Sequence, residues 1–543
     1  MKRQSFLQGA FVLAAAGFGS KVLGLVYRFP LSRLILDVGM GLYGMVYPIY
    51  TLMLALSTAG VPVAISKLVS EQLVKGNVQE AKRIFKVSLI SFGIIGLFLA
   101  GCLLVSARSL IAIGFVRDPR AYWGLIAIAP AIFIVSISVS FRGYFQGWRM
   151  MTPTAVSQVF EQLIRVVTAL GLGYLLISYG VEFAAAGAVF GAVTGGFTAL
   201  LVLLYYYSTL KRQIEQESEI ILAAHPAVRG DMCPRMSGFH IFKQIISIAI
   251  PISLAGLVMP IMQNIDLAIV PGRLLKAGFS LHEMTALYGQ LSQMASILVN
   301  MPTILTLALA ASVVPAISEA YVEHDMATIH TRINTALRVT VFFELPAFLG
   351  YFILAKPITL MLFANGHAGE ALACISAAVL FLGLHQVSSG ILQGLGKPIR
   401  PLVNLLIGAI AKILLTYYLT AMPDIEIKGA ALGTVAAFLI ASMLNLISIV
   451  FVSKVKYDWK SCAVKIPAAA AIMAILLPFI YKGSFSITGS NSLSALLAII
   501  LGSFIYLIVL LLIGGIKEDD LLTIPKVGVK LAVLFKKIRI LRS

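Results

Sequence analysis

A series of long apolar runs limits the fold of this chain more than any other feature of its sequence. Of its 543 residues, 59% are hydrophobic and 12% are charged, against about 45–50% and about 25% in soluble globular domains. A run of about 20 apolar residues is long enough to cross a membrane as a helix. Such runs lie near 7–36, 43–68, 87–113, 122–142, 154–178, 183–208, 241–270, 284–317, 333–358, 370–393, 400–421, 428–453, 462–482 and 491–514. They predict an all-α integral membrane protein with about fourteen transmembrane helices.

A polar segment divides these helices into two groups. Charged residues interrupt the apolar pattern between 209 and 240, and we predict a cytoplasmic linker there. Six predicted helices precede it and eight follow. The predicted parts are an N-terminal six-helix lobe (1–208), the linker (209–240), a C-terminal six-helix lobe (241–453), two additional helices (454–514) and a basic cytoplasmic tail (515–543).

The basic residues behind the net charge of +19 collect on one predicted side of the membrane. A soluble protein with this charge would be a candidate for nucleic-acid binding. In a membrane protein, however, loops rich in Lys and Arg face the cytoplasm. With fourteen spans, the bias between the two sides is about three to one. We predict a multi-pass cell-membrane protein with both termini cytoplasmic, with membrane lipids and not nucleic acid among its partners.

Weak matches between the two lobes indicate an internal repeat. Gly143–Gly147 matches Gly390–Gly394 at an offset of 247 residues, and this offset also pairs Arg165 with Lys412. Further on, Gly187–Gly191 matches Gly429–Gly433. Such glycine spacing is common in membrane helices, but ordered matches predict two lobes of parallel topology. Two facing lobes are typical of alternating-access transporters.

Charged residues inside predicted spans are costly and mark candidate sites. The first span carries Lys21, Arg28 and Arg33, and the first two fall on one helix face. Pro30 interrupts the backbone hydrogen bonding between them and allows a bend. A cationic stripe on a bent helix suits a phosphate or pyrophosphate group. The alternative is that Lys21 and Arg33 reach opposite membrane interfaces.

Other polar residues extend the candidate site. Span seven contains Asn264 and Asp266, and we expect Asp266 to pair with Arg28 or to accept a coupling cation. Glu161 and Arg165 are four residues apart, which favours a local ion pair. Gly408 stands where the repeat has Glu161, so Lys412 lacks such a partner and is expected to face the cavity with Asn404 nearby. These candidates share a polar or charged side chain within a predicted span.

Catalytic and metal-binding patterns are weak. The stretch Gly390–Lys397 resembles a P-loop, but its glycine spacing differs and Pro398 replaces the magnesium-binding Ser or Thr. The seven histidines show no metal-ligand spacing. We therefore predict neither a cofactor nor an enzyme. A membrane enzyme that uses lipid-linked sugars would need carboxylates in outside loops, for which Glu283 and Glu370 are the candidates.

Several long motifs resemble the stage V sporulation protein B family, over nearly the whole chain. They are Lys21–Arg28, Arg142–Gly147, Met151–Arg165, Asp266–Leu274, Pro302–Thr303 and Val314–Glu319. That family belongs with the polysaccharide transporters and lipid II flippases of the multidrug/oligosaccharidyl-lipid/polysaccharide exporter superfamily. The resemblance implies fourteen helices in two six-helix lobes plus two, in agreement with the predicted spans.

The resemblance also implies a function. It implies flipping of undecaprenyl-pyrophosphate-linked sugars for peptidoglycan or another polysaccharide of the cell wall or spore cortex, with cell-wall synthesis enzymes as partners. Basic residues of the first helix contact the pyrophosphate in lipid II flippases, and Lys21 and Arg28 match that pattern. Asp266 and Asn404 match a sodium site of some members, but Gly408 replaces its second carboxylate. The coupling ion, sodium or proton, stays open. The alternative in the same superfamily is a cation-coupled drug exporter.

Overall fold

The computed structural model describes residues 6–224, 236–457 and 464–515, and within these ranges every regular element is helical. The all-α fold class is confirmed. The helices are α1 (Phe6–Val26), α2 (Arg28–Thr58), α3 (Val61–Val74), α4 (Val78–Ala112), α5 (Tyr122–Gly147), α6 (Thr152–Leu176), α7 (Val181–Ala224), α8 (Gly238–Lys276), α9 (Leu281–Gly289), α10 (Ser296–Asn300), α11 (Thr303–Val322), α12 (Met326–Ile353), α13 (Ala355–Phe363), α14 (Ala368–Ile375), α15 (Ala378–Gly394), α16 (Ile399–Leu419), α17 (Ile427–Ser453), α18 (Ile466–Thr488) and α19 (Asn491–Leu512).

Many of these helices are long and apolar enough to cross a membrane. Among the described residues there are 11 such helices, or up to 12 if α14 and α15, bent by 43°, form one span. A chain with this many apolar helices is a multi-pass membrane protein. Every predicted apolar run overlaps at least one helix, while the exact count of fourteen stays a prediction.

The helix boundaries differ from the predicted runs in several places. The first run, 7–36, is divided between α1 and α2, and α2 then continues to Thr58 through a single non-helical residue, Leu36 (φ 56°, ψ −171°). The eighth run is divided among α9, a π-helical turn, α10 and α11. The helix α7 continues to Ala224, into the predicted linker, because this part is rich in the helix formers Lys, Arg, Gln and Glu. Residues 225–235 of the linker and 516–543 of the tail lie outside the described residues.

The chain forms two compact units. The first comprises the described residues up to Gly272 together with Leu281–Gly289, and the second comprises Arg273–Ser280 and the described residues from Gln290 onward. Most of α8 therefore belongs to the first unit, although its sequence position suggests the start of the second lobe. The lobe boundaries at 208 and 241 stay a prediction.

Equivalent helix contacts in the two units match the internal repeat. In the first unit, Gly147 of α5 packs closely on Val69 of α3, and in the second, its counterpart Gly394 of α15 packs in the same way on Ile317 of α11. A Cβ added at Gly147 or Gly394 would lie 2.7 or 2.9 Å from the facing Cβ. The glycines of α7 approach α6, and those of α17 approach α16. The glycines are thus the contact points that allow close helix packing in both lobes.

A buried carboxylate, Asp118, holds α9 within the first unit. It accepts hydrogen bonds from the Arg120 guanidinium, with a shortest distance of 2.7 Å, and from the Thr285 hydroxyl at 2.7 Å. Burial alone would raise the pKa of Asp118, but the hydrogen bonds from Arg120 and Thr285 outweigh this effect and lower it. The ionised form of Asp118 therefore stabilises the folded state.

We predict that Asp118→Asn destabilises the protein at neutral pH by about 1–3 kcal/mol, because it removes charge-assisted hydrogen bonds. The partial exposure of Arg120 favours the lower end of this range. Because the folded-state pKa is lowered, the stabilisation is complete above the ordinary pKa of 3.8 and is lost as the pH falls through the folded-state value. Unfolding of the detergent-solubilised wild type and of Asp118→Asn at pH values across this range measures the difference in stability. A difference between variant and wild type that persists below the folded-state pKa would contradict the account.

Candidate functional site

The break between α1 and α2 positions the first candidate residue. Pro30 has no N–H to donate to the carbonyl of Val26, and α1 ends at Val26 while α2 begins at Arg28. The helix is therefore interrupted only at Tyr27, whose backbone angles stay helical (φ −63°, ψ −21°), and the bend at Pro30 stays a prediction. Arg28 takes the first position of α2, beside the buried side chain of Tyr27.

Three tyrosines surround the Arg28 guanidinium. Its central carbon lies 5.6 Å from the ring centre of Tyr43 and 5.3 Å from that of Tyr47, and the two rings stack at 5.3 Å. The hydroxyls of Tyr27 and Tyr43 are 2.9 Å apart and hydrogen-bonded. Aromatic faces stabilise a cation without neutralising it, so Arg28 keeps its positive charge inside the first unit.

A second charged group lies on α5 and α6. Glu161 accepts from Arg165 at 2.7 Å, as its spacing predicts, and also from Arg142 of α5 at 2.8 Å. Arg142 is further held by the Ser157 hydroxyl at 3.3 Å. The three charged side chains are 12–16% exposed. One carboxylate thus faces two guanidinium groups and compensates only one of their charges.

Tyrosines connect these two groups. Tyr47 interacts electrostatically with Arg165 as well as with Arg28, and Tyr50 lies beside both Tyr47 and Arg165. We call Arg28, Arg142, Glu161 and Arg165 the basic cluster. Three positive charges and one negative charge give it a net charge of +2.

Several buried polar atoms of the first unit lack a hydrogen-bond partner among the described residues. They are the Tyr50 hydroxyl, Oε1 of Gln158, Nε2 of Gln162 and Nε of Arg165. Gln158, Gln162 and Arg165 share one face of α6, and Gln162 packs against Gly24 of α1. Gln158 Oε1 is an acceptor, whereas the other three atoms can donate, and buried donors beside the excess positive charge of Arg142 and Arg165 suit an anion.

The tyrosines and Arg142 are the site residues that sequence reasoning missed. Tyr43, Tyr47 and Tyr50 are spaced by four and three residues, which places them on one helix face. That spacing was the available signal. Nothing in the sequence places Arg142 beside Glu161, because they lie on different helices and 19 residues apart.

The structure places the other first-span candidates at the surface of the described helices. Both Lys21 of α1 and Arg33 of α2 have exposed side chains. Exposure leaves them accessible to a substrate or to lipid headgroups, which are the two alternatives that the sequence leaves open. Their role in substrate binding stays a prediction.

Asn264 and Asp266 lie on the part of α8 that belongs to the first unit. The Asn264 amide donates to the carbonyl of Pro48 at 2.8 Å, which fastens α8 to α2. Asp266 is half-buried and interacts electrostatically with Tyr288 of α9. These contacts give Asn264 a structural role, while the pairing of Asp266 with Arg28 or with a cation stays a prediction.

In the second unit, Asn404 and Lys412 lie on the face of α16 that packs against α17. Lys412 is 2% exposed between these helices, and its role in facing a substrate cavity stays a prediction. Asn404 donates to Asn445 Oδ1 at 2.8 Å, and Asn445 donates to Ser388 at 3.0 Å. These neutral groups satisfy one another, and within the described residues no three His, Cys, Asp or Glu cluster as metal ligands. A sodium ion at Asp266 and Asn404 stays a prediction.

The second unit also contains an apolar cavity of about 470 Å³. Helices α12, α13, α18 and α19 supply most of its lining, including Phe343, Tyr351, Met473 and Leu507. Its volume lies within the range of small-molecule sites, about 300–1,000 Å³. Its lining suits an acyl or isoprenoid chain.

The chain is similar to proteins of known families. A model described as polysaccharide biosynthesis protein matches residues 6–321. Stage V sporulation protein B of Bacillus subtilis (strain 168) is 29% identical over 528 residues, which cover 97% of this chain and 99% of that protein. Lipid II flippase MurJ of the same organism is 28% identical over 456 residues, 81% of each chain.

Solved structures show the same fold. Lipid II flippase MurJ in an inward closed conformation matches with a TM-score of 0.65 and 18% identity, over 92% of this chain and 98% of that one. An inward-facing multidrug resistance transporter of the MATE family and the MOP superfamily matches with a TM-score of 0.63 and 17% identity, over 80% and 96%. The arrangement of helices is therefore that of this superfamily.

Proposed function

Because the chain belongs to the polysaccharide biosynthesis protein family, we propose that it is a flippase that moves undecaprenyl-pyrophosphate-linked sugars across the cell membrane by alternating access. The observation that carries this proposal is the net charge of +2 on the basic cluster, held within a membrane protein. A charge of this kind is costly in hydrocarbon and calls for an anionic ligand. A pyrophosphate link between lipid and sugar carries one negative charge on each phosphate group.

The geometry of the cluster supports a phosphate ligand. Guanidinium groups bind phosphate oxygens through two parallel hydrogen bonds, and the Arg28 guanidinium lies beside the rings of Tyr43 and Tyr47. The Tyr50 hydroxyl and Nε of Arg165 supply further donors. The apolar cavity of the second unit supports a lipid-linked substrate, because an isoprenoid chain needs an apolar surface to contact.

The proposal includes the setting of the protein. Both termini face the cytoplasm, as the distribution of basic residues indicates, and cell-wall synthesis enzymes are the partners. The precursor is a unit of peptidoglycan or of another polysaccharide, and the names of the relatives suggest the cell wall or the spore cortex. No reaction on the sugar is part of the proposal, since the named relatives with a stated activity are transporters and flippases.

A drug exporter is the second candidate, favoured by the similarity to the MATE transporter. Thermal unfolding in detergent separates the two candidates, because a ligand that binds only the folded state raises the unfolding temperature. We expect stabilisation by a polyprenyl-pyrophosphate sugar and none by the same sugar on a neutral polyprenol. Stabilisation by lipophilic cations and not by the pyrophosphate lipid would favour the exporter instead.

A further inference from the structure

Glu344 is an acidic side chain that the proposed site does not use. It lies on α12 in the second unit and is fully buried. Neither of its carboxylate oxygens has a hydrogen-bond partner among the described residues. Gly383 of α15 packs on it so closely that an added Cβ would lie 2.7 Å from Glu344 Cγ. The carboxyl group is thus enclosed between helices and shielded from water.

No cation neutralises this carboxylate within the described part of the second unit. Tyr351 is the titratable side chain in electrostatic contact with it. Arg338, six residues earlier on α12, lies on another face of the helix. Other titratable or charged groups on the neighbouring helices are engaged elsewhere: His385 with Asn445, Glu370 with Lys428, Glu319 with Arg332, Tyr481 with Asn491 and Tyr506 with the Phe342 carbonyl.

Thr306 is the polar neighbour of Glu344. Its hydroxyl lies close to the carboxyl group and also within donating distance of the Thr303 carbonyl at 3.0 Å and of Gln386 Oε1 at 2.8 Å. A hydroxyl has one proton to donate, so Thr306 offers the carboxylate at most one shared donor. One shared donor leaves most of the cost of burying the ionised carboxylate, which favours the neutral acid.

Glu344 also lies at a weak point of α12. Pro346 has no N–H for the carbonyl of Phe342, and the Tyr506 hydroxyl of α19 donates to that carbonyl instead, at 2.9 Å. Phe343 and Pro346, on either side of Glu344 in sequence, line the apolar cavity. A change of charge at Glu344 therefore acts on a helix segment that bends easily and borders a candidate lipid site.

We propose that Glu344 is a proton-binding site of the transport cycle, which holds a proton while the carboxyl group is buried as seen here and releases it when α12 exposes that group to water. One carboxylate oxygen takes up a proton from water and later returns it to water, so no redox partner is needed. This inference rests on the proposed function for the meaning of the cycle, but the proton site itself can be tested separately.

The first test needs no transported substrate. Infrared spectra of the purified full-length protein at neutral pH report protonated carboxyl groups through their C=O stretching band, which ionised carboxylates lack. We expect this band in the wild type and its loss in Glu344→Gln. The control is Glu370→Gln, which removes an exposed, ion-paired carboxylate and should leave the band unchanged. Identical bands in wild type and Glu344→Gln would overturn the proposal.

The second test measures coupling in proteoliposomes loaded with a fluorescent polyprenyl-pyrophosphate sugar. A gradient of one pH unit acting on one proton shifts a distribution by up to about tenfold. We expect the gradient to change the final distribution in the wild type and in Glu370→Gln, and not in Glu344→Gln. A gradient response that survives in Glu344→Gln overturns the coupling role. If the wild type moves no lipid at all, the proposed function fails, and the infrared band alone decides the proton site.

A conservative variant protects the test against misfolding. Glu344→Asp keeps the acid but shortens it, so we expect the infrared band to remain and to move in frequency as its distance from Thr306 changes. An unmoved band in a folded Glu344→Asp would place the protonated group elsewhere and contradict the proposal.

Discussion

Replacing Arg28 by Gln is expected to lower the rate of lipid-linked sugar transport by about 30-fold or more. Arg28 and the pyrophosphate form a buried charge pair in the proposed complex, and truncating one member of such a pair costs about 2–5 kcal/mol. A loss of about 2 kcal/mol corresponds to a transport rate about 30-fold lower. Gln keeps much of the side-chain volume and a donor amide, but it loses the charge over the rings of Tyr43 and Tyr47. Transport into proteoliposomes by purified protein is the measurement.

A matched control comes from the same unit. Arg108 also lies 5.6 Å from a tyrosine ring, that of Tyr122, but its side chain is exposed and lies outside the basic cluster. Arg108→Gln should therefore transport at close to the wild-type rate. Equal rates for Arg28→Gln and Arg108→Gln would show that the cation at Arg28 does not bind the substrate.

Replacing Glu161 by Gln is expected to destabilise the protein by about 3–5 kcal/mol, because breaking a buried ion pair leaves charges without compensation. Here two guanidinium groups, those of Arg142 and Arg165, lose the carboxylate that they share. Denaturant unfolding in detergent measures the loss. An added polyprenyl-pyrophosphate lipid should restore stability to Glu161→Gln more than to the wild type, because it supplies the missing negative charge.

Two further variants test the electrostatic origin of this effect. Adding Arg142→Gln to Glu161→Gln removes one of the uncompensated charges and should recover part of the stability. Glu370→Gln breaks an equally short but exposed pair with Lys428, and exposed pairs contribute about 0–1 kcal/mol. If Glu161→Gln lowers the free energy of unfolding no more than Glu370→Gln does, the buried charge imbalance is refuted.

Much of the fold follows from the sequence because a membrane restricts the options to helices or closed barrels. Apolar length locates the helices, and the repeated glycines predict the packing of α5 on α3 and of α15 on α11. The exact positions at which helices break or end are less predictable from the sequence. The interruption at Leu36 and the extension of α7 to Ala224 depend on packing and on propensity within polar sequence, which hydropathy does not report.

The candidate site was predictable only in part. Arg28 stands out because a cation within an apolar run has no ordinary structural reason. Arg142 stands near a predicted loop, and only the folded arrangement of α5 and α6 turns the local pair of Glu161 and Arg165 into a group with excess positive charge. The position of Glu344 beside Pro346 favours, in the sequence alone, a structural role. The absence of partners for its oxygens among the described residues is a property of the fold.

Transbilayer movement of the proposed substrate is the most direct test of the central claim. Proteoliposomes would contain a fluorescent undecaprenyl-pyrophosphate sugar in both leaflets, and a membrane-impermeant quencher would be added outside. The account predicts that the inner-leaflet lipid becomes accessible to the quencher with the wild-type protein and stays protected with Arg28→Gln. Inner-leaflet lipid that stays protected with the wild type, as in protein-free liposomes, would contradict it.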